Sequence, residues 1–111
     1  MQHPKFEVKK GSDEKLYFNL TAKNGQVILS SQGYKSKHGC EKAIESVRKN
    51  AQMDKRFERK ISKDRQLYFV LKARNGEVIG KSEMYSVKAA MEQGVISVKE
   101  NAQIAVAEFI A

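Results

Sequence analysis

Two tyrosines sit among cations at matching places in this chain. Lys15, Tyr17 and Lys23 belong to KLYFNLTAK, and Tyr68, Lys72 and Arg74 to QLYFVLKAR. An aromatic ring flanked by lysine or arginine can stack a base and hold the phosphates beside it. The chemistry is that of binding nucleic acid or another polyanion, and these six residues are its candidate contacts. One Tyr per copy is fewer than the two or three aromatics of a typical RNA-binding sheet. The plainer reading is a solvated sheet face on which Tyr has high strand propensity and pairs across strands.

Other chemistry finds less support. His3, His38 and Cys40 have no metal-ligand spacing, so no metal is expected. Asp13 and Asp64 fall in turns, where Asp stabilises local backbone. Glu41 and Glu92 fall in the first half of predicted helices, where negative charge suits the dipole. No Gly-rich phosphate loop is present. No catalytic residue or cofactor is assigned, and the chain is expected not to be an enzyme. An alternative is an enzyme whose side chains converge where the two copies meet. Cys40 is the only cysteine, so it forms no disulfide within the chain. Lys37, His38 and Lys42 nearby could lower its thiol pKa, but a small buried residue explains it as well.

The candidate residues lie in a duplicated frame. An offset of 51 residues (57 − 6) aligns 6–54 with 57–105 without a gap and matches Phe6/Phe57, Tyr17/Tyr68, Asn24-Gly25/Asn75-Gly76, Tyr34/Tyr85, Ser46/Ser97 and Asn50/Asn101. Each copy begins with a short alternating strand and a turn, at Gly11–Asp13 in the first. A second strand then places Leu16, Phe18 and Leu20 on one face and Tyr17, Asn19 and Thr21 on the other. Val70 in place of Asn19 suggests that part of this second face is covered. Asn-Gly predicts a type I′ hairpin into a third strand. Tyr34 and Tyr85 are expected to pin the passage from strand to helix.

The period then changes to three and four. Cys40, Ala43, Ile44, Val47 and Ala51 trace one side of a helix, and Met91, Val95, Val98 and Ala102 repeat it. Ser36 and Ser86 are predicted N-caps. Asn50 and Asn101 are predicted to end the helices in the left-handed conformation. Gly94 inside the second helix costs about 1 kcal/mol in propensity, to be offset by close packing on the sheet. The fold class is α+β, with tandem β-β-β-α units over 6–54 and 57–105 and pseudo-two-fold symmetry. Helices pack on an antiparallel sheet within one domain, 1–111.

A unit this small buries too little apolar surface to be stable alone. The copies are therefore expected to pair internally, as a monomer containing a pseudo-dimer. The tail Ile104–Ala111 has no copy and is expected to extend the second helix or dock on the core. No apolar run approaches the roughly 20 residues of a transmembrane helix, and MQHPKFEVKK is not a signal peptide. A cytoplasmic protein without a membrane role is expected. Net charge is +8 and unevenly shared: residues 1–56 hold 12 Lys/Arg and 6 Asp/Glu (+6), residues 57–111 hold 9 and 7 (+2). A basic protein attracts polyanions non-specifically.

YFNLTAKNGQVILSSQGYKSK, IESVRKNAQ, YFVLKARNGEVIGKSEMYSVKAA and VISVKENAQ resemble segments of the YegP-like family of small bacterial proteins of uncharacterised function. The resemblance covers Phe6 to about Gln103. It implies an α+β fold of three-strand-plus-helix units sharing a sheet, with single-unit members forming homodimers and tandem members resembling a covalent version of that pair. Ala43 departs from the Gly usual at its position, and Gly94 keeps it. The resemblance carries no catalytic or ligand residues. The resulting expectation is a non-enzymatic binding or interaction module of unknown target.

Overall fold

Alternating apolar residues build strands and the three-and-four spacing builds helices, and all but the last strand lie close to where the sequence places them. A computed structural model describes residues 3–110. In chain order it contains β1 (Lys5–Lys10), β2 (Leu16–Thr21), β3 (Val27–Ser30), α1 (Lys37–Asn50), a 3-10 turn (Asp54–Arg56), β4 (Phe57–Ile61), β5 (Leu67–Lys72), β6 (Val78–Lys81), α2 (Lys88–Ile104) and β7 (Val106–Ile110). One seven-stranded sheet runs β4-β5-β6-β3-β2-β1-β7.

The two copies meet where β3 pairs antiparallel with β6, through Ser30 opposite Lys81. These positions are 51 apart, so a residue faces its own repeat-equivalent, as a two-fold axis requires. The flanking ladders repeat the same offset. Phe6 faces Leu20 and Phe57 faces Leu71. Both helices contact strands of both copies. One continuous core joins Phe6, Phe18, Leu20, Ile44 and Val47 to Phe69, Leu71, Val95 and Val98. Cys40 is fully buried within it, and that burial pushes its thiol pKa up. No helix among the described residues is long and apolar enough to cross a membrane.

Four local expectations are corrected. First, the Asn-Gly hairpins are not type I′. Only the glycines have positive φ, +85° at Gly25 and +88° at Gly76. Gly25 N–H donates to Ala22 and Ala22 N–H to Gln26, which closes a three-residue loop with Gly in the left-handed position. Asn24 instead accepts from Gln26 N–H through Oδ1 at 2.9 Å. Second, Ser36 caps α1 by accepting from Gly39 N–H at 3.0 Å, but α2 is capped by Val87, which has no hydroxyl. Ser86 stands one residue too early.

Third, Asn50 and Asn101 are right-handed helical residues. Each amide reaches back one turn, to Ser46 O and Ser97 O at 2.8 Å. Fourth, the tail does more than prolong α2 or dock on the core: Ile104 ends the helix and Ala105, 2% exposed, joins the core, but the residues after them add a strand. After Ala105 it becomes β7, parallel to β1, with Lys5 opposite Val106 and Glu7 opposite Glu108. The sheet is therefore mixed at this edge. Lys5, only 2% exposed, donates to Glu108 at 2.5 Å.

Candidate functional site: a basic cleft between α1 and the second hairpin

The six sequence candidates do not form one surface. Tyr17 is committed to the fold. A Cβ at Gly11 would stand 2.8 Å from its Cε1, and one at Gly33 2.8 Å from its Cζ. The ring is thus wedged between two stretches of backbone that only glycine allows. Its hydroxyl donates to Asp13 Oδ2 at 2.6 Å, which holds the Asp13 carboxyl below and the Tyr17 hydroxyl above its ordinary pKa. Lys15 donates its backbone N–H to the same Asp13. Tyr68 lies under Lys81, whose Nζ is 5.1 Å from the ring centroid. Lys72 is paired with Glu58 at 2.6 Å, and this contact lowers the Glu58 pKa. Val70 is 5% exposed. On this face Tyr17 and Lys72 are therefore engaged within the protein, and Tyr68 is half-exposed beside Lys81.

Lys23 and Arg74 leave that face, because β2 ends at Thr21 and β5 at Lys72. Each belongs to a hairpin loop, and each loop meets the helix of the other copy. Ala22, Lys23 and Asn24 face Ser97, Glu100, Asn101 and Ile104 across a cleft of about 440 Å³. Ala73, Arg74 and Asn75 face Ser46, Lys49, Asn50 and Met53 across a cleft of about 770 Å³. These clefts are related by the 51-residue offset. Serine and asparagine one turn apart frame both, Ser46 and Asn50 in one and Ser97 and Asn101 in the other.

The frame is shared and the charge is not. The larger cleft is lined by Lys42, Lys49, Lys55, Arg56 and Arg74, and none of these five forms an ion pair among the described residues. Its one carboxylate, Glu45, is held by Arg48 at 3.0 Å. Arg56 Nε is buried without a hydrogen-bond partner. Fifty-one residues further on, Lys42, Lys49, Lys55 and Arg56 are matched by Gln93, Glu100, Val106 and Ala107, so only Arg74 has a cationic counterpart, Lys23. Sequence reasoning named Arg74 and missed the other four. The uneven charge of the two halves was the available signal, but it does not say which lysines share a cleft.

Tyr34 and Tyr85 have a structural role. Each exchanges backbone hydrogen bonds with Leu16 or Leu67, and their rings stack on Phe18 and Phe69. At the junction of the copies the Leu29 side chain fills the space beside Gly80. A depression of about 290 Å³ there is lined by Ser30, Gln32, Val78 and Lys81 among others. Among the described residues no three metal-ligating side chains converge.

Known proteins resemble this chain in sequence, and two solved structures resemble it in fold. A protein of Pseudomonas aeruginosa, UPF0339 protein PA0329, is 50% identical over 95 residues, 86% of each chain. UPF0339 protein YegP of Escherichia coli K12 is 45% identical over 96 residues, 86% of this chain and 87% of that one. The solution NMR structure of the E. coli protein of unknown function yegP superimposes with a TM-score of 0.91 at 39% identity, covering 98% of this chain and 94% of that one. UPF0339 protein SO3888 of Shewanella oneidensis gives 0.89 at 39% identity, covering 95% and 89%. The family model for a domain of unknown function, DUF1508, matches residues 12–58 and again 62–108. Each match runs from the turn before the second strand, through the helix, into the strand that follows it. The chain belongs to the DUF1508 family, in which it carries two tandem copies of the domain.

Proposed function

We propose that the protein is a non-enzymatic binding module, working as one chain whose two copies stand in for a dimer, and that it takes a polyanion in the basic cleft. One observation carries this reading. Two equivalent clefts share their frame, yet one gathers five cations without ion pairs and the other keeps only Lys23. Unpaired like charges repel one another, so this arrangement costs stability unless an anion is bound. Nucleic-acid binding on the Tyr17/Tyr68 sheet face is the weaker reading, since Tyr17 and Lys72 are engaged within the protein.

The test is an NMR titration with single-stranded RNA and DNA at low and physiological salt. Amide shifts are expected at Lys42–Arg56 and Ala73–Asn75 and are expected to shrink as salt rises. Shifts confined to Lys15–Thr21 and Tyr68–Lys72 would return the site to the sheet face. Turnover of a defined substrate, abolished by a point substitution, would overturn the non-enzymatic part. A monomeric mass in solution is expected throughout.

A further inference from the structure

We infer that the basic cleft reads a run of phosphates rather than bases. This deepens the polyanion-binding reading and rests on it. The cleft has no aromatic side chain in its lining, so a base entering it finds nothing to stack on, and stacking is what holds bases in single-strand binders. Its neutral polar groups are largely used inside the protein. Asn50 Nδ2 donates to Ser46 O and Oγ at 2.8 and 3.1 Å. Asn75 Oδ1 accepts from Glu77 N–H at 3.0 Å. Few neutral groups therefore remain to read the edge of a uracil or an adenine by hydrogen bonds.

What remains is positive charge on both walls. Arg74 comes from the hairpin, Lys42 and Lys49 from α1, and Lys55 and Arg56 from the 3-10 turn. A planar guanidinium suits two-point contact with phosphate oxygens, and lysines add point charges along an anionic chain. The other cleft is an internal control, with Glu100 where this one has Lys49.

The experiment uses the full chain and three kinds of probe: linear inorganic polyphosphate, RNA oligo(U) and oligo(A), each of roughly ten phosphates, and poly-glutamate as a carboxylate control. Polyphosphate is expected to displace both RNAs from the cleft, and the two RNAs to bind within about threefold of each other. Lys49→Glu and Arg74→Ala, both at exposed positions, are expected to weaken every phosphate ligand about tenfold with unchanged circular dichroism. An RNA that polyphosphate does not displace, or that discriminates strongly between U and A, overturns phosphate reading and leaves polyanion binding standing. Poly-glutamate binding as tightly as polyphosphate also overturns it. If none of the probes binds at low salt, the polyanion reading itself fails.

Discussion

Leu29 occupies the space that a side chain at its own repeat-equivalent, Gly80, would need. A Cβ on Gly80 would lie 2.6 Å from Leu29 Cδ2 and 2.7 Å from its Cγ. Near a two-fold axis, equivalent positions compete for one volume, and here one copy fills it while the other yields. Gly80→Ala is therefore expected to destabilise the protein by about 1–3 kcal/mol through overpacking. The urea midpoint should fall with an unchanged m-value. Wild-type stability in this variant would mean that the β3–β6 junction is looser than described.

Gly94 and Ala43 are also equivalents with different surroundings. A Cβ on Gly94 would meet the Tyr85 hydroxyl and ring, whereas the first helix carries a methyl group at that place, 8% exposed at Ala43. Gly94→Ala should cost about 1–3 kcal/mol despite its gain in helix propensity. Ala43→Gly should cost about 1 kcal/mol, the propensity term. A Gly94→Ala variant that is as stable as wild type or more stable in thermal unfolding would refute this asymmetry.

Arg48 ties the first helix to the end of the second. Its Nη1 donates to Ala102 O at 3.1 Å and to Ala105 O at 2.6 Å, and its guanidinium lies 5.0 Å from the Phe6 ring centroid. Those carbonyls belong to the C-terminal turn of α2 and its cap, where a cation suits the helix dipole. Arg48→Met keeps most of the packing and loses these bonds. A loss of about 1.5–3 kcal/mol is expected, with faster amide hydrogen exchange in β7 than in the rest of the sheet.

Arg59 joins Asp54, at 3.1 Å, to Glu92, at 2.9 Å, and Lys99 also reaches Asp54 at 3.4 Å. Hydrogen bonds from Arg59 lower the pKa of both carboxyls. A carboxyl lowered on folding adds stability above its unfolded pKa and loses it as acid brings the pH down through the folded one. These pairs are largely solvated, so their worth is under about 1 kcal/mol after screening. Arg59→Met should be slightly less stable than wild type at pH 7, and the gap should close as the pH falls below the ordinary carboxylate range. Urea midpoints at pH 7 and pH 3 check this, and a constant gap would sink it.

The hairpins and helix stripes were legible because their signals are local. Leu16, Phe18 and Leu20 declare a strand face within five residues, and Cys40 through Ala51 declare a helix face within twelve. The turn type was not legible. Asn-Gly suits both a two-residue and a three-residue loop, and the choice depends on the bulge between Leu20 and Thr21 in the β2–β3 register. The tail was illegible for a related reason. Val106–Ile110 has no copy in the first unit, and its place beside β1 depends on Lys5 and Glu108, far apart in sequence.

The sequence by itself determined two β-β-β-α copies, their 51-residue offset, the core faces and an excess of positive charge in the first half. Local periodicity and internal repetition are written in the order of residues. Only the tertiary structure decided which residues share a site. It took Tyr17 out of use between two glycines, paired Lys72 with Glu58, and moved Lys23 and Arg74 off the sheet to opposite clefts. It also brought Lys42 and Lys49 of one copy, with Lys55 and Arg56 of the connection, against Arg74 of the other. The reason is physical: Coulomb energy depends on distance in space, and pairing the two copies about an axis sets those distances.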